Sequence, residues 1–202
     1  MSTVSLAVGR PTLVDRLLRR SIVTDIAFIA AGAALTAVAA QLSVPLWPVP
    51  ITGQTLAVLI VGSSLGALRG ALSMVLYLVL GVVGLPVFSD QSHGIGVVTG
   101  PTGGYIVGFI LAAALTGWLA QRKWDHRILG AIASFSAGTL VTFAVGLPWL
   151  AAVLHLDLQQ TLAAGLYPFL IGGVVKALLA AGFIRLAWFG VNRADSAAPR
   201  RF

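Results

Sequence analysis

Apolar residues run for seventeen or more positions at a time in this chain, and polar residues gather in the gaps between the runs. The runs fall at residues 26–42, 52–68, 71–87, 102–119, 128–150 and 162–186. A helix rises 1.5 Å per residue and a hydrocarbon core is about 30 Å thick, so a spanning helix needs roughly 17–25 apolar residues. Each run therefore predicts one membrane-spanning helix, the second and third at the short end of that range. Arg69-Gly70 stands between those two and predicts a tight helical hairpin rather than one long helix. The expectation is an all-α integral membrane protein with six transmembrane helices, forming a single membrane domain over residues 1–202.

Ahead of the first run, residues 10–20 hold a shorter pattern. Leu13, Leu17 and Leu18 sit at helical spacing against Asp15, Arg16 and Arg19, predicting an interfacial helix whose basic side meets anionic headgroups. Asp25 follows at the start of the first span, where a helix N-terminus favours a carboxylate, and is read as an interfacial, dipole-stabilising residue. The first run leads into a multi-span chain and is read as its first helix rather than as a secretory signal.

Charge orients the bundle. Arg10, Arg16, Arg19 and Arg20 precede the first span, Arg69 follows the second, and Arg122, Lys123 and Arg127 follow the fourth. Arg185 ends the sixth span, and Arg193, Arg200 and Arg201 trail it, whereas the connections 43–51, 84–101 and 148–161 contain no Lys or Arg. By the positive-inside rule the basic face, with both termini, is cytoplasmic. The net charge of +7 thus marks topology, and the bilayer rather than a nucleic acid is the expected partner. Composition agrees: charged residues make up 9% of the chain, against about 25% in soluble proteins, and mean hydropathy is +0.96. With no cysteine there is no disulfide, thiolate chemistry or Cys-ligated metal.

The cation-free connections are built unlike spacers. Residues 44–55 carry three prolines and Trp47, predicting a stiff extended segment. Residues 84–104 hold Pro86, Asp90, Gln91 and His93, then Gly94, Gly96, Gly100, Pro101, Gly103 and Gly104. Such loops are lids or binding segments capping a cavity.

Lys176 is the one basic residue in the interior of a span. An ammonium at that depth costs about 2.5–3.5 kcal/mol unless it meets a polar cavity or a counter-ion. A lysine stem reaches about 6 Å, while either edge of the core lies roughly 15 Å away, so snorkelling does not relieve it. No acid follows on its helix before Asp195. Its partner is on another segment, in water, or in a ligand that brings its own negative charge.

Other patterns carry less. Gly62-Ser-Ser-Leu-Gly66 matches a hydrolase nucleophile motif but lies inside a span, where small residues serve packing. His93, His126 and His155 are scattered and form no metal site. The glycine-rich stretch 99–104 lacks the Gly-Lys-Ser/Thr of a phosphate loop. In the first span the pairs Ala27/Ala31, Ala30/Ala34 and Ala33/Ala37 make a smooth strip for close helix approach, whether to an external partner or within the bundle.

PVPITGQTLA at 48–57, GLPVF at 84–88 and GPTGGY at 100–105, with Tyr167-Pro-Phe and Lys176 following, resemble a known family. The match runs in order from about residue 26 to 184. The chain resembles the BioY family, the biotin-specific S component of energy-coupling factor (ECF) vitamin transporters. That resemblance implies a multi-pass protein of the cytoplasmic membrane that captures biotin from outside at high affinity. It implies uptake through a transmembrane T component driven by paired cytoplasmic ATPases, with no catalysis and no cofactor in the chain itself. It also implies that the alanine strip docks the T component, with Ala30/Ala34 favoured over Ala27/Ala31. For biotin, Lys176 is the expected partner of the carboxylate. Gln54, Thr52, Asp90, Gln91 and Tyr105 are assigned to ureido recognition or gating, and Tyr167 and Trp47 to the walls of the slot.

One position departs from the family pattern. Where members commonly read Pro-Gly-Asp-x-x-Lys, this chain reads Ile171-Gly-Gly-Val-Val-Lys176, so the acid one turn before the lysine is Gly173. An i,i+3 carboxylate would neutralise the ammonium, and here its charge without ligand is left open. Two rival functions stand beside this reading. A solitary biotin carrier working without ECF partners would call for a coupling ion and a buried midplane carboxylate, which no span contains. An intramembrane serine enzyme would need a triad, which the sequence does not offer.

Overall fold

The structure is a computed structural model that describes residues 6, 10–17 and 21–197. In chain order its elements are α1 (Leu13–Leu17), α2 (Ile22–Ala40), β1 (Ser43–Val44), β2 (Ile51–Thr52), α3 (Gln54–Leu65) and α4 (Ala67–Val82). There follow α5 (Ile95–Thr99), α6 (Gly103–Gln121), α7 (Ile128–Leu154), α8 (Leu158–Gly165) and α9 (Tyr167–Ala197). Among the described residues, α2, α6, α7 and α9 are the four helices long and apolar enough to cross a membrane. Helices α3 and α4 are apolar but shorter, at 12 and 16 residues, or roughly 18 and 24 Å.

Local chemistry sets the boundaries. Ser21 caps α2 with a reciprocal box: its Oγ accepts from the Thr24 amide, while Thr24 Oγ1 accepts from the Ser21 amide. The break between α3 and α4 is at Gly66, not at Arg69-Gly70 as the sequence suggested. Gly66 takes φ +88°, a conformation open to glycine, and a Cβ on Gly117 of α6 would strike its backbone. The break therefore comes where the hairpin passes closest to α6. The expected sixth span is likewise divided at Leu166, and Pro168 then falls in the first turn of α9, where its missing amide costs no helical hydrogen bond. The segment around the three prolines is not merely extended: Ser43 pairs with Thr52 and Val44 with Ile51 in an antiparallel ladder, a small β exception in an otherwise helical chain.

Arg69 also departs from expectation. It lies in the first turn of α4 and is 2% exposed, rather than flanking a span in solvent. Its guanidinium donates to Asp15 Oδ1 at 2.9 Å, Asp25 Oδ1 at 3.1 Å and the Leu65 carbonyl at 2.8 Å. Asp25, in the first turn of α2, is thus a fully buried ion-pair member. The same cluster draws α1 in: Thr12, Leu13 and Val14 are buried against the bundle. The rest of the expected interfacial helix, residues 18–20, lies outside the described residues, as do Arg200 and Arg201.

Helix α6 is the axis of the bundle. One cluster packs it with α2 and α4 through Ala33, Met74, Tyr77, Phe109 and Ala112. A second joins α3, α7 and α9 through Leu59, Phe135, Ala177, Ile184 and Trp188. A third, around Val49, Tyr105 and Leu150, lies at the hairpin end, where the cavity opens.

Candidate binding site

The β1–β2 hairpin delivers Val49, Pro50 and Thr52 to a cavity whose other walls are the start of α3, the 88–97 segment, α6, α7 and α9. Apolar side chains dominate: Phe88, Ile106, Phe109, Phe143 and Phe169. Their arrangement follows from the third core cluster. Tyr105 stacks on Phe169 at 6.5 Å and meets Phe143 edge-on at 6.1 Å, while its hydroxyl donates to the Gly165 carbonyl at 2.9 Å, tying α6 to the end of α8.

Polar groups enter from one side. Thr52 Oγ1 donates to Gln54 Oε1 at 2.7 Å, and Gln54 Nε2 donates to the Tyr77 hydroxyl at 2.6 Å. This chain of bonds fixes which face of the Gln54 carboxamide is committed, and the side chain is held with 7% exposure. Beside this group Lys176 projects from α9, the only charged residue among those lining the cavity. Its Nζ donates to the Thr52 carbonyl at 2.5 Å and to Thr55 Oγ1 at 3.2 Å. Gly173, one turn earlier, lines a neighbouring apolar groove between α7 and α9.

The structure thus gathers Lys176, Thr52, Gln54 and Tyr105, and separates the other sequence candidates from them. Trp47 is 84% exposed and lines an outer groove with Pro45, Pro48 and Asp90 rather than the slot. Asp90 accepts a hydrogen bond from Ser43 Oγ, and the Gln91 backbone amide donates to Gln41 Oε1, so they hold the loop to β1 and to the end of α2 respectively. Tyr167 is 56% exposed and lies outside the cavity; Phe169, two residues on, takes the wall position instead. Thr55 and Thr142 are lining residues that sequence reasoning missed. Thr55 is the residue after Gln54 in the quoted 48–57 motif, whereas Thr142 lies in an apolar run with no local signal.

Elsewhere, Gly62-Ser-Ser-Leu-Gly66 is the last turn of α3 and its C-cap, not a strand-to-helix elbow. Among the described residues no group of three or more His, Asp or Glu could hold a metal. Ala27, Ala30, Ala31 and Ala34 are all exposed on α2, while Ala33 faces the core.

A mostly apolar slot, roofed by ordered loops and holding one ammonium, is built to take a small molecule carrying a negative charge, and it sits in a bundle of membrane-spanning helices. The chain belongs to the BioY family, whose sequence model matches residues 10–193. It is 36% identical over 77% of its length to biotin transporter BioY2 of Lactococcus lactis subsp. cremoris, covering 85% of that protein. It is 38% identical over 73% of its length to biotin transporter BioY of Thermotoga maritima, covering 86% of that one. The crystal structure of the S component for biotin from an ECF-type ABC transporter superposes with a TM-score of 0.74 at 27% identity, over 81% of this chain and 90% of that one. The chain is accordingly a multi-pass membrane protein with the S-component fold, from a family of transporters rather than enzymes.

Proposed function

We propose that this protein captures biotin with high affinity from the side of the ordered loops and serves as the substrate-binding S component of an ECF transporter. Lys176 carries the reading: it supplies a cation to a largely apolar slot, the partner a valeryl carboxylate requires. The bicyclic ring system then lies among Phe109, Phe143, Phe169 and Tyr105, with Gln54 and Thr52 as donors and acceptors for the ureido group. Asp90 and Gln91 in the 84–101 connection and Trp47 in the 43–51 connection act in closing over the slot, while on α9 Phe169 rather than Tyr167 forms its wall.

In this reading residues 1–202 form one membrane domain with six spans, α3 and α4 being two short ones, in the cytoplasmic membrane. Both termini are cytoplasmic, as the distribution of Lys and Arg supports. Ala30 and Ala34, with Ala27 and Ala31 beside them, dock the T component, to which the ATPases supply energy. Cysteines placed at Ser43, Ser92 and His155 should react with an impermeant reagent on intact cells, and one at Ser196 should not. The function itself is tested by equilibrium binding to the purified protein. Biotin should bind and be displaced by unlabelled biotin, but not by thiamine or riboflavin; saturable riboflavin binding with none for biotin would refute it.

A further inference from the structure

The end of the bundle opposite the hairpin carries a groove of about 820 Å³ formed by Arg122, Lys123, Trp124, Arg127, Ile128 and Leu129 in the connection from α6 to α7. All six of these residues are exposed. The backbone turns sharply here, with Lys123 at φ +67°, and Arg122 and Arg127 both line the one opening. Arg122 lies over the Trp118 ring at 3.8 Å, which holds its guanidinium at the rim.

The charge around the groove is one-sided. His126, in its floor, has its protonation disfavoured by burial and by Lys123, Arg16 and Arg185, cations that arrive from the loop, α1 and α9. Asp125 approaches His126 Nε2 to 4.0 Å and opposes Arg185, but no residue lining the groove is acidic. Asp125 is 2% exposed and turned inward to accept from Trp188 Nε1, while Asp15 and Asp25 both bond Arg69. Directly beside the cations stand exposed apolar groups: Leu129 at 77%, Ile128 at 47%, Trp124 at 46% and Trp118 at 43%. Cations at the mouth and apolar surface on the adjoining ends of α6 and α7 match a molecule with an anionic head and a hydrocarbon tail.

We propose that this groove binds an anionic phospholipid, its phosphodiester held by Arg122, Lys123 and Arg127 and its acyl chains lying along Leu129 and Trp118. A soluble acidic protein would meet the cations but would leave the apolar flank uncovered, and it is the less favoured occupant. Basic residues near a membrane surface each strengthen attraction to anionic lipid severalfold, so three acting at one groove give well over a tenfold effect.

The test is native mass spectrometry of the full-length protein in detergent, with added phosphatidylglycerol, phosphatidylcholine or glycerophosphate. The wild type should retain phosphatidylglycerol at least about tenfold better than phosphatidylcholine, and should not retain glycerophosphate. The triple variant R122Q/K123Q/R127Q should lose that preference. R122K/R127K should keep most of it, and the charge-removing control R10Q/R193Q should keep all of it. Equal loss in the control, unchanged retention in the triple variant, or retention of glycerophosphate comparable to the lipid would each overturn the proposal. A triple variant that keeps its lipid but loses a co-purifying protein would overturn it in favour of a protein contact. Biotin binding by the same samples reports folding and tests the transport reading separately.

Discussion

Lys176 Nζ donates to the backbone carbonyl of Thr52, 124 residues earlier in the chain, at 2.5 Å. The bond ties α9 to the hairpin that roofs the cavity. Because position 173 is glycine, no acid on α9 competes for the ammonium, and its partners are a carbonyl and the Thr55 hydroxyl, both neutral. An incoming carboxylate is therefore the strongest acceptor offered to it. A hydrogen bond to a charged group is worth about 1.5–3 kcal/mol, or roughly ten- to a hundredfold in affinity. Biotin should bind tighter than biotin amide by that order, and Lys176→Met should erase the difference. Gly173→Asp, which supplies an internal competitor, should narrow the gap. Calorimetry showing equal affinity of acid and amide for the wild type would remove Lys176 from carboxylate recognition.

The carboxamide of Gln54 is oriented by Tyr77. Removing the phenol oxygen in Tyr77→Phe leaves the Gln54 amide without its acceptor in a buried setting, a loss of about 1–3 kcal/mol. Thermal stability in detergent should fall, and biotin affinity should fall with it, since the freed carboxamide can rotate. Unchanged affinity in a destabilised Tyr77→Phe protein would mean that Gln54 supports the fold alone.

The sequence made the helical membrane architecture legible because apolar runs and cation-free connections record the bilayer directly. It also exposed Lys176, since an ammonium in a span has few explanations. It misplaced the α3–α4 break because Arg69 looks like a flanking cation. Its two carboxylate partners lie 54 and 44 residues away, at Asp15 and Asp25, and no periodicity reports such a pairing. The cavity walls were half legible for a similar reason. Gln54, Thr52 and Tyr105 sit in dense motifs, but whether Tyr167 or Phe169 faces inward depends on the break at Leu166, and loop motifs do not separate residues that hold the loop from those that line the slot.

That buried Arg69 cluster should behave as a unit. Losing one member of a buried ion pair costs about 3–5 kcal/mol, because the remaining charge is left uncompensated. Arg69→Met should therefore destabilise the protein by that order, and Asp15→Asn in the same chain should recover part of it. Unfolding in detergent measures both. Biotin affinity of the folded fraction should hold, because Arg69 lies beyond the far end of α3 from Gln54.

The exposed alanines of α2 should tolerate bulk in the isolated protein. Ala30→Leu and Ala34→Leu place side chains on a face that the bundle leaves open, so biotin binding should remain within about twofold, the range of surface substitutions within ±0.5 kcal/mol. Co-purification with the T component and uptake should fall steeply, since close helix approach needs small residues. A loss of binding together with folding would assign the strip to packing instead.

Asp125 should make stability depend on pH. It is 2% exposed in the α6–α7 connection, and burial pushes its carboxyl from the ordinary 3.8 up to about 6, against the opposing pull of the Trp188 bond, its own backbone amide and Arg185. Ser63 adds a smaller pull in the same direction as Trp188, and His126 Nε2 stands 4.0 Å from Oδ1, yet burial outweighs them. The fold therefore prefers the protonated form. Its contribution is fully present below about pH 4 and is lost as pH rises through about 6, roughly 2–3 kcal/mol at 1.36 kcal/mol per unit. His126 acts in the opposite direction, since its lowered pKa favours folding above its ordinary 6.5, so the measurement belongs in a His126→Gln background. There, Asp125→Asn should match the parent near pH 4 and exceed it in stability by about 2 kcal/mol at pH 7.5. The amide keeps an acceptor for Trp188 and adds a donor for Ser63 without a buried charge. If Asp125→Asn is instead the less stable protein at pH 7.5, the ionised carboxylate is what the fold requires, with Arg185 as its counter-charge.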